Sequence, residues 1–480
     1  MFSTAHHSYI CRMVEEMEYS NLVEEFEKLI SSEDRKKLND FLDDQNISSV
    51  AKLVDDHPEY EALIFTCMSV HRSAKVFKIL ELAVQKRIIQ ELTPHKTAEL
   101  LNELPPDDRT DFLEELPSNV VRELIKLLNN EERKITLSLL GYPENTVGRL
   151  MTPDYVYVYE HNTVVEVLDT IRRVGKNSET IDVIYVINKD GELLDDIRIR
   201  EFLLAPPDEK VSEIMDGRYI ALNAYDDQEK ASEVFKMNNR VALPVVSNTN
   251  KLLGIVTIDD MFWVAEEEFS EDIQKIGGTQ ALEAPYLDTP FFKLIQKRVG
   301  WLVILFIGEL LTATAMAYFN NEIAKATILA TFIPLIISSG GNSGSQASTL
   351  IIQAMAVGEI HISDWWRVMR REILSGLMLG TILGFIGFTR ISVWHELMQH
   401  GVIKDIYGVH WLLVAFTVGS SLIGVVLWGT LSGSMLPIVL KKLGADPAVS
   451  SAPFVATLVD VTGIVIYFSI ALFFLKGILL

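Results

Sequence analysis

From residue 299 onward the chain offers five apolar stretches of bilayer length, at about 299–318, 326–357, 368–389, 409–439 and 448–475. A helix needs about 20 mostly apolar residues to cross a hydrocarbon core, and an ordinary soluble domain has no use for five such runs in succession. They predict an all-helical membrane domain and leave the residues before it to fold in water. Charge divides at the same place. Residues 1–290 carry 31 Lys and Arg against 56 Asp and Glu, a net of −25. Residues 291–480 carry 12 against 9, a net of +3, and together the two parts give the chain's −22. An acid surplus of that density repels nucleic acid and anionic lipid and attracts cations. An odd number of spans puts the termini on opposite sides. With the N-terminus cytoplasmic and the C-terminus outside, eight Lys and Arg fall on inner segments against four on outer ones, as the positive-inside rule requires. The expected location is a cell (inner) membrane. No apolar run stands behind a basic start, so a signal peptide is not expected.

The acidic half has two textures. Up to residue 147 it is helical in pattern, with leucines at 80, 92, 104, 116, 128 and 140 in a strict twelve-residue period. Turn signals such as Pro105-Pro106-Asp107-Asp108 and Pro117-Ser118-Asn119 punctuate the period. They predict short capped helices, for example Asp108–Leu116 and Ser118–Leu128, stacked into a small superhelix. From residue 148 two similar copies follow, 148–207 and 208–264, opened by Arg149-Leu150-Met151-Thr152-Pro153 and by Glu213-Ile214-Met215-Asp216. In each, a helix (Thr163–Val174; Gln228–Asn238) precedes a β-branched strand (Ile184–Ile187; Leu243–Val246), an Asn-rich turn and a second strand. This tandem α/β repeat resembles a pair of CBS domains. The second copy has the Gly254-Ile255-Val256-Thr257-Ile258-Asp259-Asp260 run found where such domains hold an adenine nucleotide. The first copy has Asp195-Asp196-Ile197-Arg198 in the corresponding place, so a nucleotide is expected on the second copy's signature alone. Residues 265–298 are a connector, with an acidic helix over Val264–Ile276, a stop at Gly277-Gly278, a loop through Pro285 and Pro290, and a basic-aromatic segment Phe291–Val299 at the membrane face. Cys11 and Cys67 lack the spacing of a disulfide framework or zinc site.

Two features of the apolar half carry chemistry. Span two contains Pro334 followed by Ser338-Ser339-Gly340-Gly341-Asn342-Ser343-Gly344-Ser345-Gln346. This composition predicts a helix broken in mid-bilayer, which is tolerated only against protein or a water-filled cavity. Close helix packing through small residues is the alternative. Span five contains Asp460, about twelve residues into the helix. A carboxylate at that depth costs at least roughly 2.5–3.5 kcal/mol and belongs at a bundle interior or an aqueous path. Glu309 in span one is the other acid of comparable depth, and no intramembrane Lys or Arg neutralises either. Acids alone in a water-lined path suit Mg²⁺, which keeps its waters and is held by one or two carboxylates. A two-fold dimer would bring two Asp460 side chains to one axis.

The order of acidic superhelix, CBS pair, connector helix and five spans resembles the MgtE family of Mg²⁺ channels. So do the runs Gly340–Gln346 and Asp446-Pro447-Ala448-Val449-Ser450-Ser451-Ala452-Pro453-Phe454-Val455-Ala456-Thr457-Leu458-Val459-Asp460. The resemblance implies a homodimer with its pore on the two-fold axis. Asp460 would be the pore carboxylate, and Asn342, with Gly341 beside it, and Ala456 would face the ion's waters. It also implies closure by cytosolic Mg²⁺, with Glu268, Glu271, Asp272, Asp260 and Asp446 as sensor ligands. Two other readings stay open on the residues alone. One is a divalent-cation exchanger coupled to Na⁺ or H⁺, with Glu309 as the counter-ion site; the other is a membrane-tethered sensor through which nothing permeates. No nucleophile–base set, Walker-type loop or Rossmann glycine motif is present, so an enzyme is not expected.

Overall fold

The computed structural model describes residues 19–32, 34–282, 286–287, 289–400, 402 and 407–479. Cys11 and Pro285 lie outside them. Cys67 is a buried free thiol. Two compact units divide between Glu266 and Glu267.

The first unit begins with the stacked short helices that the leucine period demands, among them Leu82–Glu91, Pro94–Glu103, Pro106–Glu114, Ser118–Leu127 and Asn130–Leu139. Leu92, Leu104 and Leu128 are extended residues at helix C-caps, and all three are buried, so these three periods end by driving an apolar side chain into the core. The helix expected from Asp108 starts two residues earlier. Proline's fixed φ and missing N–H suit the first helical position, which Pro106 takes. Arg109 is fully buried and ties neighbouring repeats together. It donates to the carbonyls of Leu101 (3.1 Å) and Leu104 (3.2 Å) and to the Thr136 hydroxyl (2.8 Å), and it pairs with Glu132.

Each α/β copy then forms a three-stranded sheet. In the first, β1 (Tyr157–Tyr159) runs parallel to β2 (Val183–Ile187), which is antiparallel to β3 (Leu193–Arg198). The second repeats the order with β4 (Leu222–Asn223), β5 (Ala242–Val246) and β6 (Leu252–Thr257). Thr163 and Glu166 close a capping box on the helix Val164–Val174. Tyr185 and Leu193 of one copy share a core with Val246, Leu252 and Ile255 of the other. We label the six long helices from the connector onward α1 to α6. Helix α1 (Ile258–Ile276) grows directly out of β6, so the acidic helix begins six residues before Val264. Asp259 and Asp260 in its first turn favour that early start.

The second unit contains α2 (Phe291–Tyr318), α3 (Ile333–Ala356), α4 (Trp365–Gln399), α5 (Trp411–Lys442) and α6 (Ala452–Leu475). The basic-aromatic segment is the first part of α2, with no break at residue 299. Four helices among the described residues are long and apolar enough to cross a membrane: α2, Ile362–Gln399, Gly408–Lys442 and α6. Helix α3 is more polar, and at 24 residues it is about 36 Å long.

The glycine-rich run does not break α3, contrary to expectation: the helix is continuous from Ile333 to Ala356. The chain is interrupted earlier, between the short helix Thr327–Ala330 and Ile333, and Pro334 lies in the first turn of α3, where it is harmless. The glycines serve close approach. A Cβ on Gly344 would lie 2.9 Å from the carbonyl oxygen of Gly429, and one on Gly340 would lie 2.5 Å from Val425 Cγ1. Three serines of this stretch are satisfied locally or by α6 and the turn before it, whereas the buried Ser343 hydroxyl has no partner. Ser339 donates to Leu335 O (2.7 Å), Ser345 to Ala452 O (3.0 Å) and Ser348 to Ser450 O (2.8 Å).

Candidate functional site

In the second unit a cavity of about 430 Å³ opens between α2, α3 and α6. Its polar lining is Asp460, Asn342, Ser338, Glu309 and Thr312, joined by Gly341 and Ala456, and no Lys, Arg or His lines it. The four pore residues expected from sequence are therefore brought together. Asp460 is the ninth residue of α6, about 12 Å along it and shallower than the sequence reading placed it, because α6 starts at Ala452 after the short helical turn Pro447–Val449. Its carboxylate lies against the bare backbone of Gly341: a Cβ there would stand 3.9 Å from Asp460 Oδ1. Asn342 contacts the Ser338 hydroxyl (3.4 Å), one turn back. Both Asn342 and Ala456 lie inside unbroken helices, so each carbonyl has at most one lone pair left for water.

A second acidic group surrounds the end of α1. Lys275 Nζ reaches Asp446 Oδ2 (2.8 Å) and also pairs with Glu271. Asp446 caps the next helical turn, accepting from the Ala448 N–H (2.8 Å). Burial pushes the Asp272 carboxyl above its ordinary range, Asp446 beside it pushes the same way, and Lys275 opposes both. Glu268 adds to the negative field there. Among these residues the sequence reading missed Lys275, a cation standing among the acids assigned to metal. Helix α1 stops where Gly278 takes φ +75°, and a Cβ there would lie 2.7 Å from the Trp301 ring.

Asp260 does not join that group. It belongs to an acidic cluster of the first unit with Asp107, Asp108, Asp259 and Glu179, relieved in part by Lys78, which donates to Asp108 (3.2 Å). The Thr257 N–H and hydroxyl donate to Asp260 (3.2 and 2.8 Å), but burial outweighs them and lifts its pKa to about 7. Asp107 is only 7% exposed, and its Oδ1 has no hydrogen-bond partner. Burial and the neighbouring Asp260, Asp108 and Glu179 raise it well above the usual carboxylate range. Asp107 and Asp108 read in sequence as turn residues, and only the fold reveals that Asp107 is buried and Asp108 half-buried. No group of three or more His, Cys, Asp or Glu among the described residues is gathered tightly enough to hold a metal ion as it stands.

In the first α/β copy Asp195 and Asp196 are buried. Asp195 accepts from the N–H groups of Asp216 (2.8 Å) and Gly217 (3.0 Å). Asp196 pairs with Arg240 (3.1 Å).

Known proteins share this arrangement. A family described as a divalent cation transporter matches residues 333–470, the intracellular N domain of MgtE matches 46–145, and CBS domains match 147–208 and 211–266. The chain is 36% identical over 357 residues to a magnesium transporter MgtE of Thermus thermophilus, covering 74% of this chain and 76% of that one. It is 30% identical over 346 residues to the magnesium transporter MgtE of Bacillus subtilis, covering 72% and 73%. A crystal structure of the cytosolic domain of the Mg²⁺ channel MgtE in complex with ATP aligns at 30% identity with TM-score 0.48, over 50% of this chain and 98% of that one. By the family models and the two transporter relatives the chain belongs to the MgtE family of divalent cation transporters, multi-pass membrane proteins with a helical N domain and a CBS pair.

Proposed function

We propose that this chain is a Mg²⁺-selective channel for magnesium uptake, working as a homodimer with Asp460 of each copy on the ion path. The cavity carries the reading: it holds carboxylates, an amide and hydroxyls with no basic side chain, so a positive charge must come from outside. Mg²⁺ is held through its waters, and this lining offers acceptors for them. The acid surplus of the first 290 residues fits a cytoplasmic sensor. Clustered carboxylates such as Asp107, Asp108 and Asp260, and Glu268, Glu271 and Asp272 with Asp446, repel one another until a divalent ion enters. Closure at high cytosolic Mg²⁺ then follows from tighter binding to the compact state. Asp460→Ala is expected to abolish Mg²⁺ uptake in cells that depend on external Mg²⁺, with the protein still assembled in the membrane; retained uptake would reject the pore assignment.

A coupled exchanger is the second reading, favoured by Glu309 in the same cavity. Mg²⁺ current under voltage clamp with no Na⁺ or H⁺ gradient separates the two. An adenine nucleotide on the CBS pair is supported by Thr257 and Asp260 of the second copy and opposed by Asp195 in the first. The N-terminus is assigned to the cytoplasm and the C-terminus to the outside.

A further inference from the structure

We infer that Glu309 and Thr312 of α2 form a second cation-binding face in the cavity, so that each chain offers the hydrated ion two carboxylates instead of one. This rests on the channel reading. Helices α2 and α6 are locked side by side in parallel register. The Trp301 indole N–H donates to the Ser451 hydroxyl (3.1 Å), and two turns on Gly308 faces Thr457 so closely that a Cβ would stand 2.7 Å from Thr457 Cγ2. The next turn of each helix carries Glu309 and Thr312 on one side and Asp460 on the other, all lining the same cavity.

Thr312 is the independent sign of a ligand. It is 8% exposed, and its hydroxyl has no partner. Threonines in these helices ordinarily bond the carbonyl one turn back, as Thr314 does to Leu310 (3.0 Å), Thr457 to Pro453 (3.0 Å) and Thr462 to Leu458 (2.7 Å). Thr312, whose residue lines the cavity, instead leaves its buried hydroxyl without that bond. A buried hydroxyl of this kind is stabilised by any donor that reaches it, and a metal-bound water is a strong one. Two carboxylates in one cavity without a basic residue need a counter-charge, and a divalent cation neutralises both at once. Space allows the ion its shell: six waters at about 30 Å³ each take about 180 Å³, well below the cavity's volume of about 430 Å³.

The test is Mg²⁺ influx into liposomes holding the purified full-length chain, measured against external Mg²⁺. Glu309→Gln should raise the half-saturating Mg²⁺ concentration about tenfold, the usual effect of losing a group that acts on a metal through its waters. Glu309→Asp should recover part of that loss. Thr312→Val should raise the concentration by less, and Thr312→Ser should restore it. If Glu309→Gln does not assemble, the Asp, Val and Ser variants still decide. Wild-type half-saturation in Glu309→Gln and Thr312→Val, with flux abolished by Asp460→Ala, would overturn this inference alone. Loss of only an H⁺ or Na⁺ gradient dependence in Glu309→Gln would overturn it too, making Glu309 a counter-ion site. Should Asp460→Ala also keep its flux, the channel reading falls and takes this one with it.

Discussion

Asp107 stands in the first turn of the helix Pro106–Glu114, where the helix dipole alone would favour a carboxylate. Burial and three neighbouring acids reverse that preference, and Asp260 shares the predicament. The consequence for pH has a definite sign. Asp260 titrates near 7 in the fold against an ordinary 3.8, so the folded state holds its proton over a range where the unfolded chain has lost it. Its cost is fully felt above pH 7 and is relieved as pH falls from about 7 toward 4. Asp260→Asn should therefore melt at a higher temperature than the wild type at pH 7.5, by about 2–4 °C per kcal/mol of repulsion removed. The gap should narrow toward pH 5, and added Mg²⁺ at pH 7.5 should raise the wild-type melting temperature more than the variant's. Thermal melts of the full chain across pH check this. At this scale Asp460 and Glu309 were legible in sequence, because a charge in an apolar run is costly wherever it points. Asp107 was not, because the residues that bury it are distant in the chain. Thr312 was hidden for another reason: one turn beyond Glu309, it looked like any helix threonine until its hydroxyl was seen to lack the usual carbonyl.

Among the elements, α3 taught the most. A run of glycine and serine reads equally as a helix break or as a close contact, and only the partner decides. Here the partner is α5, whose Gly429 and Gly433 stand against Gly340 and Gly344. Gly344→Val should therefore damage packing more than its small volume suggests. The added carbons would meet the Gly429 carbonyl and Val455, and overpacking of this kind costs typically 1–3 kcal/mol. A lower yield of assembled protein and an earlier thermal transition in detergent are the expected readouts; a wild-type transition would argue that α3 and α5 separate readily. The short helices of the twelve-residue period and both α/β copies were legible because leucine spacing and strand alternation are local signals. The starts of α1 and α6 were displaced by several residues, since an acid-rich first turn and a short turn before a proline can each extend or delay a helix.

For the molecule as a whole, the division between acid and apolar halves was the clearest message in the sequence. The grouping of the acids was not: five expected sensor residues fall into two sets, Asp260 with the N-domain acids and the rest around the end of α1. Neutralising Glu268, Glu271 and Asp272 together should leave the channel conducting at millimolar cytosolic Mg²⁺, as patch-clamp recording with varied internal Mg²⁺ would show; unchanged inhibition would place the sensor elsewhere. Lys275 gives that measurement a further meaning. Its ammonium sits on the same helix as Glu271 and belongs to the same chain as Asp446, so its effective concentration at both is fixed by the chain and does not vary with the solution. On the proposed sensor reading, incoming Mg²⁺ would have to compete with this built-in rival. The cell's free magnesium would then be weighed against a constant internal standard, and the length and pairing of one lysine would set where the balance tips.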